Sequence, residues 1–164
     1  TIIIPMSVKT DSIIIRNFEP KDNDAVYALI LSILETEYSD LSAEAYLDDI
    51  GNITANYQND GDHFFVCEDN NRIIGTVAVK QEDKKTALLR RLFLNPNYRG
   101  KGIGKQLIQT AIDFAKSKKF KMIYFDGNNH MLHIKSILEK VGFKLKEDIN
   151  LPGVEIFKLY YPLV

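Results

Sequence analysis

Between Leu94 and Gln106 the chain reads Asn95-Pro96-Asn97-Tyr98-Arg99-Gly100-Lys101-Gly102-Ile103-Gly104-Lys105. Three alternating glycines allow a backbone turn whose amides face one concave point. A helix starting near Gly104 adds its unpaired first-turn N–H groups and the positive end of its dipole. Such an arrangement binds phosphate. Glycine-rich strand-to-helix turns also serve packing alone, but Arg99, Lys101 and Lys105 are cations that a purely structural turn does not need. They favour an anion site. Asn95-Pro96 closes the apolar run Leu88 to Leu94, because proline has no N–H to give a strand ladder.

Spacing narrows the phosphate ligand. A Walker A loop, Gly-x-x-x-x-Gly-Lys-Ser/Thr, would end at Gly104-Lys105, but its first glycine would be Arg99 and its hydroxyl residue Gln106. A dinucleotide fingerprint from Gly100 would need glycine at Lys105 and a strand running almost straight into the turn. Asp126 lies about twenty residues on, where a ribose carboxylate would sit, so a nucleotide-binding reading stays open as a weak alternative. The pattern that fits throughout is Arg99-x-x-Gly102-x-Gly104 behind Asn-Pro.

That pattern resembles the acyl-coenzyme A pyrophosphate loop of the GNAT superfamily of N-acyltransferases. The likeness extends to Ala87–Leu94 as the family's central strand, residues 104–119 as the following helix, Met122–Asp126 as the next strand, and Met131–Phe143, ending Glu139-Lys140-Val141-Gly142-Phe143, as the late helix. It implies an α/β fold: one domain over residues 1–164, a mixed, mostly antiparallel sheet flanked by helices, with splayed parallel central strands. It also implies acetyl-CoA as co-substrate, with pantetheine along Leu92, Phe93 and Leu94 and pyrophosphate on Arg99, Gly100, Lys101, Gly102, Ile103, Gly104 and Lys105. A small-molecule or peptide amine would attack the thioester directly. The segment after the first helix borders the acceptor in this family, so Glu35, Glu37, Tyr38 and Asp40 are the candidate acceptor contacts. Dimers are frequent there, which leaves a homodimer as one option while the sequence leaves the oligomeric state open.

Neutralising a lysine-type amine at pH 7 costs about 4 to 5 kcal/mol, so a base is expected. Where related central strands often carry glutamate, this chain has Leu88, and where a tyrosine acid is common it has Leu138. Glu37 and Asp126 are the remaining candidates to hold a water as base. His130 sits at the mouth of the late helix, and His133 lies well over 100° around it from Leu138. The two missing groups also leave a second reading, a degenerate acyl-CoA-binding sensor or regulatory module.

At 164 residues, 45% hydrophobic and 26% charged, the chain suits one globular domain. The lone Cys67 can form neither an internal disulfide nor a zinc site, so a cytoplasmic setting is expected. Phe65 and Cys67 alternate, which makes Cys67 a small core residue. No apolar run reaches the ~20 residues that span a bilayer. Thr1-Ile2-Ile3-Ile4-Pro5 lacks the basic start of a signal peptide, and a chain opening on Thr1 is expected to have lost its first residues. No membrane or nucleic-acid partner is expected, since only Phe120 interleaves the lysines from Lys116 to Lys121. Net charge is −1, yet Asp22 to Asn71 holds twelve acidic residues and no Lys or Arg, while Lys84 to Lys121 holds eleven basic residues and only Asp113 opposing. Two opposed fields are expected, with the acidic one drawing a cationic amine.

Periodicity supplies the elements that must position these groups. Ser12–Phe18 reads as a strand, and Val26, Leu29, Ile30, Ile33 and Leu34 as one helical face. A second helix, acting as a lid, is expected from Ser42 to about Tyr57. His63–Glu68 and Ile73–Lys80 form a hairpin, with Gly75 marking a bulge. Leu107, Ile108, Ala111, Ile112 and Ala115 are the buried face of the helix after the glycine turn. Phe143–Lys146 and Val154–Tyr160 form a closing hairpin.

Overall fold

The computed structural model describes residues 12–38 and 47–163. Along the chain come β1 (Ile13–Asn17), α1 (Asn23–Glu37), α2 (Ile53–Asn56), β2 (His63–Asp69), β3 (Arg72–Gln81), β4 (Thr86–Leu94), α3 (Ile103–Ser117), β5 (Met122–Asn128), α4 (Leu132–Val141), β6 (Lys144–Leu151) and β7 (Val154–Pro162), with short 3-10 turns at Pro20–Asp22, Ile50–Asn52, Pro96–Tyr98 and Asn129–Met131. The strands form one sheet in the order β1-β2-β3-β4-β5-β7-β6. Only β4 and β5 are parallel, as expected where a helix must cross between them. Helix α1 packs on β3, α3 packs on β3 and β4, and α4 packs on α3. The expected α/β domain with a mostly antiparallel sheet is thus what the chain forms.

Local chemistry accounts for the joints. Asn70 and Asn71 both take positive φ, at 49° and 71°, which gives the β2–β3 hairpin the mirror-image turn that matches strand twist. The register slips beside Gly75, where Cys67 pairs with Gly75 but Glu68 with Ile73, so the expected bulge is there. Pro152-Gly153, with Gly153 at φ 78°, turns β6 into β7.

Two expectations change. Helix α1 runs on through Glu37. The long helix expected from Ser42 to Tyr57 lies partly outside the described residues; inside them it reduces to the 3-10 turn and the four-residue α2, because Asn52 (φ −147°, ψ 76°) breaks the helix and caps α2 by accepting from Ala55 N–H. Nor is this segment a lid: Leu47, Ile50, Ile53 and Tyr57 are all buried in the main core. Their side chains fill space that a detached lid would leave to water.

The feature that makes a site is where the sheet parts. β4 pairs with β5 only at Thr86↔Met122, Ala87↔Ile123 and Leu88↔Tyr124. Beyond this, β4 stays with β3 to Leu94 while β5 stays with β7 to Asn128. A bulge marks the parting: Thr76 pairs with Phe93 and Ala78 with Arg90, so Val77 faces two residues, Arg91 and Leu92. Arg91 takes φ 52°, a costly conformation for a side-chain-bearing residue. The fully buried Thr76 hydroxyl donates to the Arg91 carbonyl over 2.7 Å, satisfying a group the bulge removes from the ladder. Thr76→Val keeps the shape and orphans that carbonyl, so it is expected to lower stability by about 1 to 2 kcal/mol in urea unfolding.

Candidate active site

Two cavities meet in the parted sheet. The first, about 560 Å³, is lined by the glycine turn (Arg99, Gly100, Gly102, Gly104, Lys105), by Leu92, Phe93 and Leu94 of β4, by Ile33 and Glu37 of α1, and by His133, Ser136, Ile137 and Lys140 of α4. The second, about 420 Å³, is lined by Leu88 to Phe93, Phe125, Asp126 and Met131. Tyr38, Leu92, Phe93 and Ile134 belong to both walls. The junction therefore lies against the edge of β4 beyond Leu88, where the ladder with β5 has ended.

The turn is built as its sequence requires. Asn95 caps the 3-10 turn Pro96–Tyr98 by accepting from Asn97 N–H. Gly100 and Gly102 take φ 78° and 85°, and no atom stands within 4 Å of where a Cβ at either would lie. Glycine is needed for the backbone conformation, and the space beside it is open for a ligand. The first hydrogen bond of α3 is Gln106 N–H to Gly102 C=O at 3.2 Å, so Ile103, Gly104 and Lys105 have no helical acceptor for their amides. Arg99 fastens the turn: its Nε donates to the Leu94 carbonyl over 3.2 Å, and its guanidinium lies 3.0 Å from Glu37. Lys101 leans over the Tyr98 ring, 5.5 Å from its centre, and the Ile103 side chain is buried in the core.

The acidic residues expected on the acceptor side do not gather there. Glu37 pairs with Arg99 in the larger cavity. Glu35 is exposed and lines neither cavity. Asp40 lies outside the described residues. Of the described acceptor candidates Tyr38 alone, 2% exposed, borders both cavities, with His130 stacked on it at 5.5 Å between ring centres. Asp126 does line the smaller cavity, and Lys158 stands 3.5 Å from it. The two opposed fields are also corrected, because the acidic segment folds onto the basic one. Glu37–Arg99, Asp49–Arg91 and Asp60–Lys118 pair at 3.0, 2.6 and 3.0 Å.

Sequence reasoning missed Asp49. Both its oxygens accept from Arg91, and the Tyr57 hydroxyl donates to it. Burial pushes its carboxyl up, but the hydrogen bonds from Arg91 and Tyr57 and the charges of Arg91 and Arg90 outweigh this and hold it below the usual carboxylate value. Burial, with the Asp49 charge and hydrogen bond, drives the Tyr57 phenol upward. His133, which helical geometry sets apart from Leu138, stays outside the smaller cavity; burial and the nearby Arg99 hold it below the ordinary histidine value, against the pull of Glu37. Leu138 is fully buried, so the helix offers no proton donor at that position. Burial, then Asp69 and Glu68, push the Cys67 thiol up to about 11, which suits a core residue and not a nucleophile.

Among the described residues no cluster of His, Cys, Asp and Glu is arranged to hold a metal, and no helix is long and apolar enough to cross a membrane.

Because the Asp49 carboxyl is held low, its contribution to stability is present above the usual carboxylate pKa and is lost as pH falls through the folded value. Asp49→Asn is expected to cost on the order of 2 to 3 kcal/mol at pH 7. In urea unfolding, the gap to the parent chain should close as pH drops below about 4.

Known proteins share this geometry. Residues 24–143 match the model of the family described as Acetyltransferase (GNAT) family. N-acetyltransferase 8B of Homo sapiens is 30% identical over 115 residues, covering 66% of this chain and 49% of that protein. N-acetylaspartate synthetase of Danio rerio is 31% identical over 120 residues, covering 67% and 43%. The chain thus spans under half the length of these curated relatives. Among solved structures, an acetyltransferase from Streptococcus agalactiae 2603 superposes with a TM-score of 0.80 at 27% identity, covering 93% of this chain and 99% of that one.

Proposed function

The chain belongs to the acetyltransferase (GNAT) family, and on that premise we propose that it moves an acetyl group from acetyl-CoA directly to an amine. One observation carries the reading: a glycine turn at the start of α3 opens into a cavity that meets a second one along β4, beyond its ladder with β5. In this reading the pyrophosphate lies on the amides of Gly100 to Lys105, with Arg99 and Lys105 as counter-charges. Pantetheine runs along Leu92 to Leu94, the thioester reaches the junction, and the amine arrives through the smaller cavity.

The reaction follows from those positions. An unprotonated nitrogen adds to the thioester carbonyl, whose oxygen is polarised by a β4 amide. The C–N bond forms, the C–S bond breaks with its electron pair going to sulfur, and the nitrogen gives up a proton. Glu37 is held at the pyrophosphate end by Arg99, so Asp126 is the carboxylate we assign, through a water, to receive that proton. Tyr38, whose ring borders both cavities, is the group we assign to protonate the thiolate. With a thiol pKa near 8.5 the thiolate leaves tolerably unaided, so the tyrosine contributes less than the base. Holding the two reactants at one junction lowers the barrier by several kcal/mol more.

Leu138, fully buried, and Leu88, half-buried on the wall of the smaller cavity, stand at the family's usual proton-transfer positions and favour the second reading, a sensor that binds acyl-CoA without turnover. Release of free thiol from acetyl-CoA across a panel of amines separates the two, because a sensor releases none. Gly102→Val should abolish uptake of CoA in a calorimetric titration, since it strains the turn and fills the space beside it; unchanged uptake would remove the premise. Asp126→Asn should lower kcat about a hundredfold with CoA affinity retained, and Tyr38→Phe should lower it less.

A further inference from the structure

The geometry points to an acceptor that carries a carboxylate, an amino acid or a close relative, with Arg90 as the group that binds it. This deepens the acetyl-transfer reading and rests on it. Register places the residues concerned on one face of the sheet. Leu88 pairs with Tyr124, and Tyr124 with Tyr160; Asp126 pairs with Lys158. Alternation from Leu88, before the bulge, puts Arg90 on that same face. The smaller cavity is lined by Leu88, Arg90 and Asp126.

Charge on this wall is unevenly spent. Asp49 faces two guanidinium groups but is bonded to one. Arg91 makes contacts of 2.6, 3.1 and 3.1 Å with it, and Tyr57 adds a hydroxyl. Arg90 stands 4.0 Å from the Asp49 Oδ2, beyond hydrogen-bond range, with its side chain 35% exposed. Two guanidinium groups therefore share one carboxylate on this wall, and Arg90 is the more loosely held and the more exposed of the two. Across the cavity Asp126 has Lys158 at 3.5 Å, and Lys158 and Lys146 lie 5.0 and 5.9 Å from the centre of the Tyr124 ring. Glu147, paired in register with Lys158, is exposed on the outer strand.

A polyamine would set a second cation against Arg90, which costs energy in a partly desolvated cavity. A carboxylate gains there, because the guanidinium fork matches its two oxygens. An amino acid satisfies both ends at once: its carboxylate meets Arg90 while its ammonium lies toward Asp126 and the thioester. The cationic amine expected from the acidic segment survives at the reacting end of such a molecule, and its other end is anionic. The acetyl step is unchanged: the new bond is C–N, the broken bond C–S, and the nitrogen's proton passes to solvent by way of the water at Asp126.

The test uses matched acceptors that differ only in the carboxylate: an amino acid, its carboxamide and the corresponding simple amine, with spermidine as the polycationic contrast. Thiol release is followed at saturating acetyl-CoA. The acid should be preferred over its amide by about ten- to a hundredfold in kcat/KM. Arg90→Gln should erase that preference through KM while leaving the KM for acetyl-CoA within about twofold, and Arg90→Lys should restore part of it. Equal use of acid and amide, a preference for spermidine, or a preference that survives Arg90→Gln overturns the assignment. Calorimetric titration of the CoA-loaded protein with an N-acetylated amino acid and its amide reads the carboxylate site without turnover. Absence of thiol release with every acceptor would sink the transferase reading, and the titration would still decide for or against Arg90.

Discussion

The whole arrangement depends on one residue of β4 held where side-chain-bearing residues rarely go. Arg91, at φ 52°, adds an extra residue to its strand, and the parallel pairing with β5 ends three residues before it. The conformation costs on the order of 1 to 3 kcal/mol. Two contacts offset it: the Thr76 hydroxyl takes care of the Arg91 carbonyl, and Asp49 engages its guanidinium. A regular ladder at this point would close the gap between β4 and β5 and leave one sealed sheet. Strain at a single position is thereby converted into a slot along the edge of β4 beyond its ladder with β5.

The second organising force is the pairing of two segments with opposite charge. The acidic stretch that precedes the central strand folds against the basic stretch that begins with it, so their fields cancel locally. The residue of that cancellation is more informative than either run alone. Glu37 restrains Arg99 at the glycine turn through a 3.0 Å ion pair. Asp49 joins Tyr57 to the bulge and ties the segment after α1 to the wall of the smaller cavity. Arg90 is the group these pairings hold least tightly, sharing Asp49 with Arg91 at 4.0 Å.

Much of this was legible in the residues. Alternate glycines, the Asn-Pro stop and the flanking cations describe the turn almost atom by atom, because φ preferences and missing donors are local properties. Strand alternation and the helical stripe of α1 are likewise local, and they came through with shifts of a few residues at the ends. The failures share a cause in partners far apart along the chain. Nothing near Asp49 shows that Arg91 lies beside it, and nothing near Glu37 shows that Arg99 will draw it to the cofactor side. The segment from Leu47 to Tyr57 reads as an amphipathic helix, yet Asn52 prefers capping to continuing and the core takes its apolar residues piecemeal. The bulge was invisible because Arg91 is not a glycine.

The closing hairpin has a different consequence. All eight residues of β6 are exposed, and Ile149, Leu151, Val154 and Ile156 spend their apolar surface on solvent. Substitutions on such a ribbon barely register in folding free energy. The molecule is divided in its tolerance of change: the glycine turn is constrained by backbone geometry, whereas the outer strand β6 is not held by burial.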